Sequence, residues 1–260
     1  MTELFDLTDK TAIVTGASRG IGEAIARRMA QHGARVVISS RNLDACAAIA
    51  QSINDVEARE AAIPLACNIS HADQLDRLCD KTVKAFGGID ILAVNAAVNT
   101  HYGPSAEIDD AAFDKIFACN VKASHRLGHV AAASMRARGG GAMIFVASIA
   151  GRVGTATIGP YGVSKAAMIQ VARNLAVEYG PAGIRANAIC PGIVKTAFAE
   201  ALWTDETVTR DVETRTPLRR FGAPDDVAGA AVFLASPAGA WTTGQALVVD
   251  GGATMAPMTL

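Results

Sequence analysis

The sequence predicts an α/β fold, a single doubly wound domain whose parallel sheet is covered by helices on both faces. Three observations predict it. Short β-branched runs alternate with longer amphipathic segments along the whole chain, the pattern that builds parallel sheets through right-handed crossovers. Several of these runs are apolar at successive positions, as strands buried on both faces must be. The 260 residues suffice for one large core, and neither a low-complexity linker nor an internal repeat beyond the βα alternation divides them.

The elements follow in order. The run "TAIVT" (11–15) is the first strand, and a helix over 21–32 follows, stopped by Gly33. "RVVIS" (35–39) precedes a helix over 43–53, and "IPLAC" (63–67) one over 72–86. "DILAVN" (90–95) leads into a long helix over 111–137, and "AMIFVAS" (142–148) into one over 161–179. After "RANAIC" (185–190) the alternation breaks at 196–223, a long, polar, weakly patterned stretch. In a compact domain such an excursion reads as a lid over a site. Pro224 then opens a helix over 224–235, and "ALVVD" (246–250) supplies the last of seven strands.

Composition excludes several function classes. Lys and Arg number 24 against 25 Asp and Glu, a net charge of −1, which argues against nucleic acid or anionic membrane as partner. No apolar run approaches the ~18–20 residues of a membrane span. The opening "MTELFDLTDK" lacks a signal peptide's basic start and apolar stretch, so a soluble, cytoplasmic protein is expected. Five dispersed cysteines without CxxC spacing read as reduced core thiols. His125 and His129 have the i, i+4 spacing of a zinc pair, but Arg126 stands where HExxH has its glutamate. They read as surface or interface histidines, and no metal is assigned.

The chemistry begins at "TGASRGIG", Thr15 to Gly22, between the first strand and first helix. Gly16, Gly20 and Gly22 permit a tight turn and close approach of a pyrophosphate to backbone N–H groups at a helix N-terminus. Ser18, Arg19 and Ile21 complete that turn. A glycine triplet alone is a weak signal, but strand before and helix after is the context that dinucleotide binding requires. The second strand ends in Ser40 and Arg41 with no carboxylate, where an acidic residue would bond an adenosine 2′-hydroxyl. Arg41 and Arg19 can clamp a 2′-phosphate instead, for a net preference of roughly ten- to hundredfold after screening. NADP(H) is therefore the expected cofactor.

Farther along, "GPYGVSKAAM" places Tyr161 and Lys165 four residues apart at a helix start, hence on one helix face. An adjacent ammonium favours the phenolate and lowers the phenol pKa. For an isolated YxxxK, a core-facing tyrosine and a solvated lysine is the stronger reading.

The combination decides. "TGASRGIG", the Asn of "CNVKA", the Ser of "ASIAG", "YGVSK" and "PGIVKT" stand in an order that resembles the short-chain dehydrogenase/reductase family, over essentially the whole chain. The resemblance implies a Rossmann-type seven-stranded sheet, nicotinamide chemistry and usually a homotetramer. It assigns Tyr161 as catalytic acid and base and Ser148 as hydrogen-bond donor to the substrate oxygen. Lys165 would hold the nicotinamide ribose and, with the oxidised ring, lower the tyrosine pKa, and Asn120 would hold a relay water. The same resemblance puts Asn68 and Ile69 beside adenine and Asn95 and Ala96 beside the adjoining ribose. Pro191, Gly192, Val194 and Thr196 would border carboxamide and pyrophosphate. Two departures stand out: Asn68 where aspartate is common, and Ala97 where the family's "NNAG" has glycine, so a Cβ must fit a tight turn.

Ile149, Ala150, Val98 to Tyr102, Ile158 and the stretch Phe198 to Thr216 are expected near the substrate. Phe198, Leu202 and Trp203, interleaved with Glu200 and Asp205, suit a neutral ketone or aldehyde. The rival is a 3-oxoacyl carrier-protein reductase, with Arg136 and Arg138 receiving the acidic carrier, although Val177 stands where related reductases often have arginine. A nicotinamide-sensing binding protein without turnover would lack part of the tetrad, and all four residues are present.

Overall fold

A computed structural model describes residues 3–199 and 203–255. Seven strands form one parallel sheet: β1 (Thr11–Thr15), β2 (Arg35–Ser40), β3 (Ala62–Ala66), β4 (Ile91–Val94), β5 (Gly141–Val146), β6 (Ile184–Pro191) and β7 (Ala246–Val249). Their spatial order is β3-β2-β1-β4-β5-β6-β7. The order reverses between β1 and β4, so a crevice opens at the C-terminal ends of those strands, where doubly wound sheets bind ligands.

Helices α1 (Gly20–Gln31) and α2 (Leu43–Glu57) cover one face with a later helix; α3 (Ala72–Phe86) covers the other. Beside α3 lie α4 (Asp110–Phe117), α5 (Ala123–Ala137) and α6 (Gly159–Tyr179). The chain closes with α7 (Glu206–Arg215) and α8 (Pro224–Ala235), the latter packed on α1. Two apolar layers result. Ile25, Met29, Ile38, Ile144 and Val227 lie in one; Ile13, Leu92, Leu127, Phe145 and Met168 lie in the other. Alternate residues of each strand feed opposite layers, which is why both strand faces had to be apolar.

Gly33, at φ 103°, follows the C-cap His32 of α1, and Pro224 is the first residue of α8, as the helix-boundary rules anticipate. The five cysteines are free and buried.

Two expectations need correction. The helix expected over 111–137 is broken: a π turn, Ala118–Lys122, separates α4 from α5. The segment 196–223 is not unpatterned either, because Asp205 caps α7 by accepting from Thr207 and Val208 N–H. Glu200 and Leu202 lie outside the described residues.

Asp90 fastens the opposite, N-terminal edge of the sheet. It is buried, accepts from the Thr11 N–H at 2.8 Å and from Arg138 Nε at 2.7 Å, and its carbonyl accepts from Ala142 N–H. No described helix is long and apolar enough to cross a membrane.

Candidate active site

A cleft of about 600 Å³ runs along the C-terminal ends of the strands, within the range of small-molecule and cofactor sites. Its phosphate end is the turn from β1 into α1. Gly16 and Gly20 adopt φ of 65° and 62°, open to glycine at little cost. At Gly22 a Cβ would stand 2.3 Å from the Gly16 carbonyl oxygen, so only glycine lets helix and turn meet this closely. Arg19, the N-cap of α1, makes no side-chain cap hydrogen bond. The first N–H groups of α1 therefore lack a side-chain acceptor, and the macrodipole favours an anion there. This cradle fits a pyrophosphate.

Asn95 braces the turn. Its Nδ2 donates to the carbonyls of Thr15 and Gly16 at 3.1 Å, and Thr15 Oγ1 accepts from the Asn95 and Ala96 N–H groups. The side chain expected beside a ribose is thus a strut between the ends of β1 and β4, though Asn95 and Ala96 both line the cleft. Ala97 has no positive φ, so its Cβ does not strain the turn.

Ser18, Arg19, Ile21, Ser40, Arg41, Asn68 and Ile69 also line the cleft. Ser40 Oγ accepts from the Asn42 N–H at 3.3 Å and contacts Cys46 Sγ at 3.1 Å, shaping the turn after β2. Arg19 and Arg41 are exposed and, among the described residues, form no ion pair. Asn68 Oδ1 accepts from Ser70 N–H and is turned toward its own loop. Sequence reasoning missed Lys115, whose Nζ donates to Ser70 Oγ at 2.7 Å on the cleft wall. Nothing in the sequence separates it from an ordinary helix-surface lysine.

At the other end Ser148, Tyr161 and Lys165 share one wall with Pro191, Gly192, Val194 and Thr196. Ser148 ends the segment after β5, and its Oγ accepts from the Ala150 N–H at 3.1 Å. Lys165 is buried; its Nζ donates to the Val146 carbonyl at 2.7 Å and stands 5.5 Å from the Tyr161 ring centre. Phe198 approaches the same ring, with centroids 6.2 Å apart. Trp203 Nε1 donates to the Thr196 carbonyl, pinning the chain beyond β6 over the cleft.

The lowering of the Tyr161 pKa expected from Lys165 together with the oxidised ring is not a property of these two side chains alone. Burial pushes the phenol up to about 12, and the neighbouring Ser148 hydroxyl pulls the other way. Burial also brings the Lys165 amine down to about 7, against a small opposing effect of Cys190. The hydrogen-bond partner of the Lys165 amine is the Val146 carbonyl and not the phenol oxygen.

Asn120 does not line the cleft. It sits fully buried in the π turn, where its amide pairs with both the N–H and the carbonyl of Val98 at 2.9 Å and donates to Ser164 Oγ at 3.0 Å. Its own carbonyl accepts from Ser124 Oγ.

Arg136 and Arg138 are placed where they cannot meet a carrier protein at the cleft mouth. Both lie at the C-terminal end of α5, which leads into β5 and so reaches the N-terminal edge of the sheet. Arg138 is bound to Asp90, and Arg136 covers the Tyr179 ring at 4.8 Å.

A family profile described as enoyl-(acyl carrier protein) reductase matches residues 16–254. The dehydrogenase/reductase SDR family member 4 of Oryctolagus cuniculus is 40% identical over 250 residues, covering 95% of this chain and 94% of that protein. The chain belongs to the short-chain dehydrogenase/reductase family. Among solved structures, this family member resembles a gluconate 5-dehydrogenase from Burkholderia cenocepacia in complex with NADP and tartrate. That match has TM-score 0.93 and 32% identity, covering 98% of this chain and 99% of that one. It also resembles a 7α-hydroxysteroid dehydrogenase complexed with NADH and 7-oxo glycochenodeoxycholic acid, at TM-score 0.92, 34% identity and 97% coverage of each chain. Family membership makes this chain an oxidoreductase of the nicotinamide-using kind.

Proposed function

We propose that this chain is an NADPH-dependent oxidoreductase interconverting a ketone or aldehyde with its alcohol, with Tyr161 as general acid and base. The observation that carries the reading is the meeting of Ser148, Tyr161 and Lys165 with the glycine cradle in one cleft. A bound nicotinamide would give or take the hydride. Ser148 holds the substrate oxygen as negative charge grows on it, and Tyr161 delivers the proton to that oxygen. A phenol held protonated by burial is ready as the acid of the reductive step. In the oxidative direction the phenolate is the base, so the rate should climb with pH. Lys165 lies within reach of Tyr161 to bind ribose hydroxyls, and Asn120 fixes the wall behind both.

Gly16, Ser18, Arg19, Gly20 and Ile21 would take the pyrophosphate side, with Asn68, Ile69, Asn95 and Ala96 toward adenosine. Pro191, Gly192, Val194 and Thr196 border the nicotinamide end. The gluconate 5-dehydrogenase structure holds NADP and the hydroxysteroid dehydrogenase structure NADH, so cofactor choice rests on this chain's own Ser40, Arg41 and Arg19. The stretch 196–223 with α7 serves as the lid. Carrier-protein thioesters are disfavoured, since Arg136 and Arg138 face the wrong edge. We further propose a homotetramer in the cytoplasm, associating through α5 and α6, where Val177 is 81% exposed.

The test compares kcat/KM with NADPH and NADH over neutral ketones, sugars, steroids and 3-oxoacyl thioesters. A neutral ketone with NADPH should lead the panel, and Arg41→Asp should erase roughly ten- to hundredfold of NADPH preference. Equal use of both cofactors by the unsubstituted enzyme would sink the cofactor assignment.

A further inference from the structure

Among the described residues no aspartate or glutamate lines the cleft, whereas Arg19, Arg41, Lys115 and Lys165 all do. Lys115 is set apart from the other three. Arg19 and Arg41 belong to the turns after β1 and β2, and Lys165 to the wall of Tyr161. Lys115 reaches in from α4 to the loop after β3, which carries Asn68 and Ser70. The side-chain acceptors of that loop are engaged within the wall. Asn68 Oδ1 takes the Ser70 N–H at 3.1 Å, and Ser70 Oγ takes Lys115 Nζ at 2.7 Å with Cys119 Sγ 3.3 Å away. The groups left over are donors. Lys115 keeps two of its three N–H bonds, and Asn68 Nδ2 has no partner among the described residues.

Purine bases differ in what they present to such a wall. Along its N7 edge adenine pairs an acceptor with a donor amine, which a side-chain amide reads with both its oxygen and its nitrogen. A 6-oxopurine presents two acceptors there, N7 and O6, which suit a lysine or arginine. Asn68 has its oxygen engaged and is not free to accept from an amine. Lys115 can donate to N7 of either base. The second donor, Asn68 Nδ2, then meets an acceptor only where the six-position is oxo.

We propose that Lys115 and Asn68 read the base of the dinucleotide through donors alone, so that a 6-oxopurine (hypoxanthine) dinucleotide binds this chain at least as tightly as the adenine one. The inference rests on the proposed dinucleotide reading of the cleft. It concerns the base end only, and holds whether or not a 2′-phosphate is preferred. Lys115 acts in it as a specificity-determining contact to the base, remote from the reacting atoms.

Dissociation constants of reduced cofactors from the full chain, read by nicotinamide fluorescence, test this in two pairs. One pair is NADPH and nicotinamide hypoxanthine dinucleotide phosphate; the other is NADH and its hypoxanthine counterpart. The ratio is taken within a pair, so an error in the 2′-phosphate assignment cancels. In whichever pair binds, the parent should hold the hypoxanthine member as tightly as the adenine member or more tightly. Lys115→Met should shift the ratio toward adenine at least about fivefold; methionine suits this exposed helix position, so the variant folds. Asn68→Asp, which adds a free acceptor oxygen for the adenine amine, should also shift it toward adenine at least about fivefold. If Lys115 only held the Ser70 loop in place, its loss would weaken both members alike and leave the ratio unmoved. Lys84→Met, on the exposed side of α3 and off the cleft, should leave the ratio unchanged. The proposal is overturned if the parent favours the adenine member, or if either cleft substitution shifts the ratio less than about fivefold. Failure of all four cofactors to bind would overturn the dinucleotide reading itself, and this inference with it.

Discussion

Replacing Lys165 by methionine should stabilise the folded chain at neutral pH while abolishing its turnover. The reasoning starts from burial: the folded-state pKa falls from 10.5 to about 7 because the charged amine is desolvated. A lysine with a depressed pKa binds its proton more tightly in the unfolded chain, so stability rises with pH through the interval between the two values. Below both values the full penalty applies, and each pH unit above the folded pKa removes about 1.4 kcal/mol of it. Between about pH 6 and pH 8.5 this single group should add about 2 kcal/mol to wild-type stability. Above that window the trend is opposed. Burial raises the thiols of Cys67 to about 11 and Cys79 to about 12, and such groups lose stability as pH climbs through their unfolded values. Methionine preserves length and apolar contact but leaves the Val146 carbonyl without its donor, a loss of about 1–3 kcal/mol that does not vary with pH. The decisive quantity is therefore the difference in pH slope, not stability at one pH. Urea unfolding of both proteins at five pH values across the window measures it directly. If Lys165→Met shows the wild-type slope, the amine is not titrating near neutrality and the account of this wall of the cleft is wrong.

Three further outcomes are expected. Tyr161→Phe should fold and bind cofactor normally while turnover falls by at least about 10²–10⁴-fold in a chemistry-limited assay, the usual cost of a lost acid or base. Gly22→Ala puts a methyl 2.3 Å from the Gly16 carbonyl oxygen; NADPH binding followed by fluorescence should weaken at least tenfold, at a folding cost of about 1–3 kcal/mol. Asp90→Ala removes the acceptor of both Thr11 N–H and Arg138, and chemical denaturation should show a loss of about 2–4 kcal/mol with kinetic constants preserved.

The strand positions were legible because a parallel sheet covered on both faces leaves continuous apolar runs that few other structures require. The same holds for the glycine turn, where Gly22 admits no substitute. Legibility ended where tertiary surroundings outweigh local pattern. Nothing in "FACNVKA" announces a π turn, because apolar spacing continues through it and the break lies in the backbone hydrogen bonding of Ala118–Lys122. The α7 helix did carry a signal, an N-cap aspartate, Asp205, which accepts from the N–H groups two and three residues on, but the polar sequence obscured it. The sign of the Tyr161 shift depends on how far Lys165 is buried and which carbonyl it faces, quantities that spacing along a helix does not encode. Arg136 and Arg138 were misplaced for a related reason: their end of the sheet follows from chain direction, not from charge.

The double hydrogen bond from Asn120 to Val98 has a practical meaning for reshaping selectivity. It ties Val98, the start of the stretch proposed to border the substrate, to the same helical irregularity that bonds Ser164 of α6, so that starting point moves only if α6 moves with it. Diversity introduced from Asn99 to Gly103 leaves that anchor in place, whereas an insertion before Val98 would shift the register of everything it holds. A combinatorial library built on this scaffold should begin at Asn99.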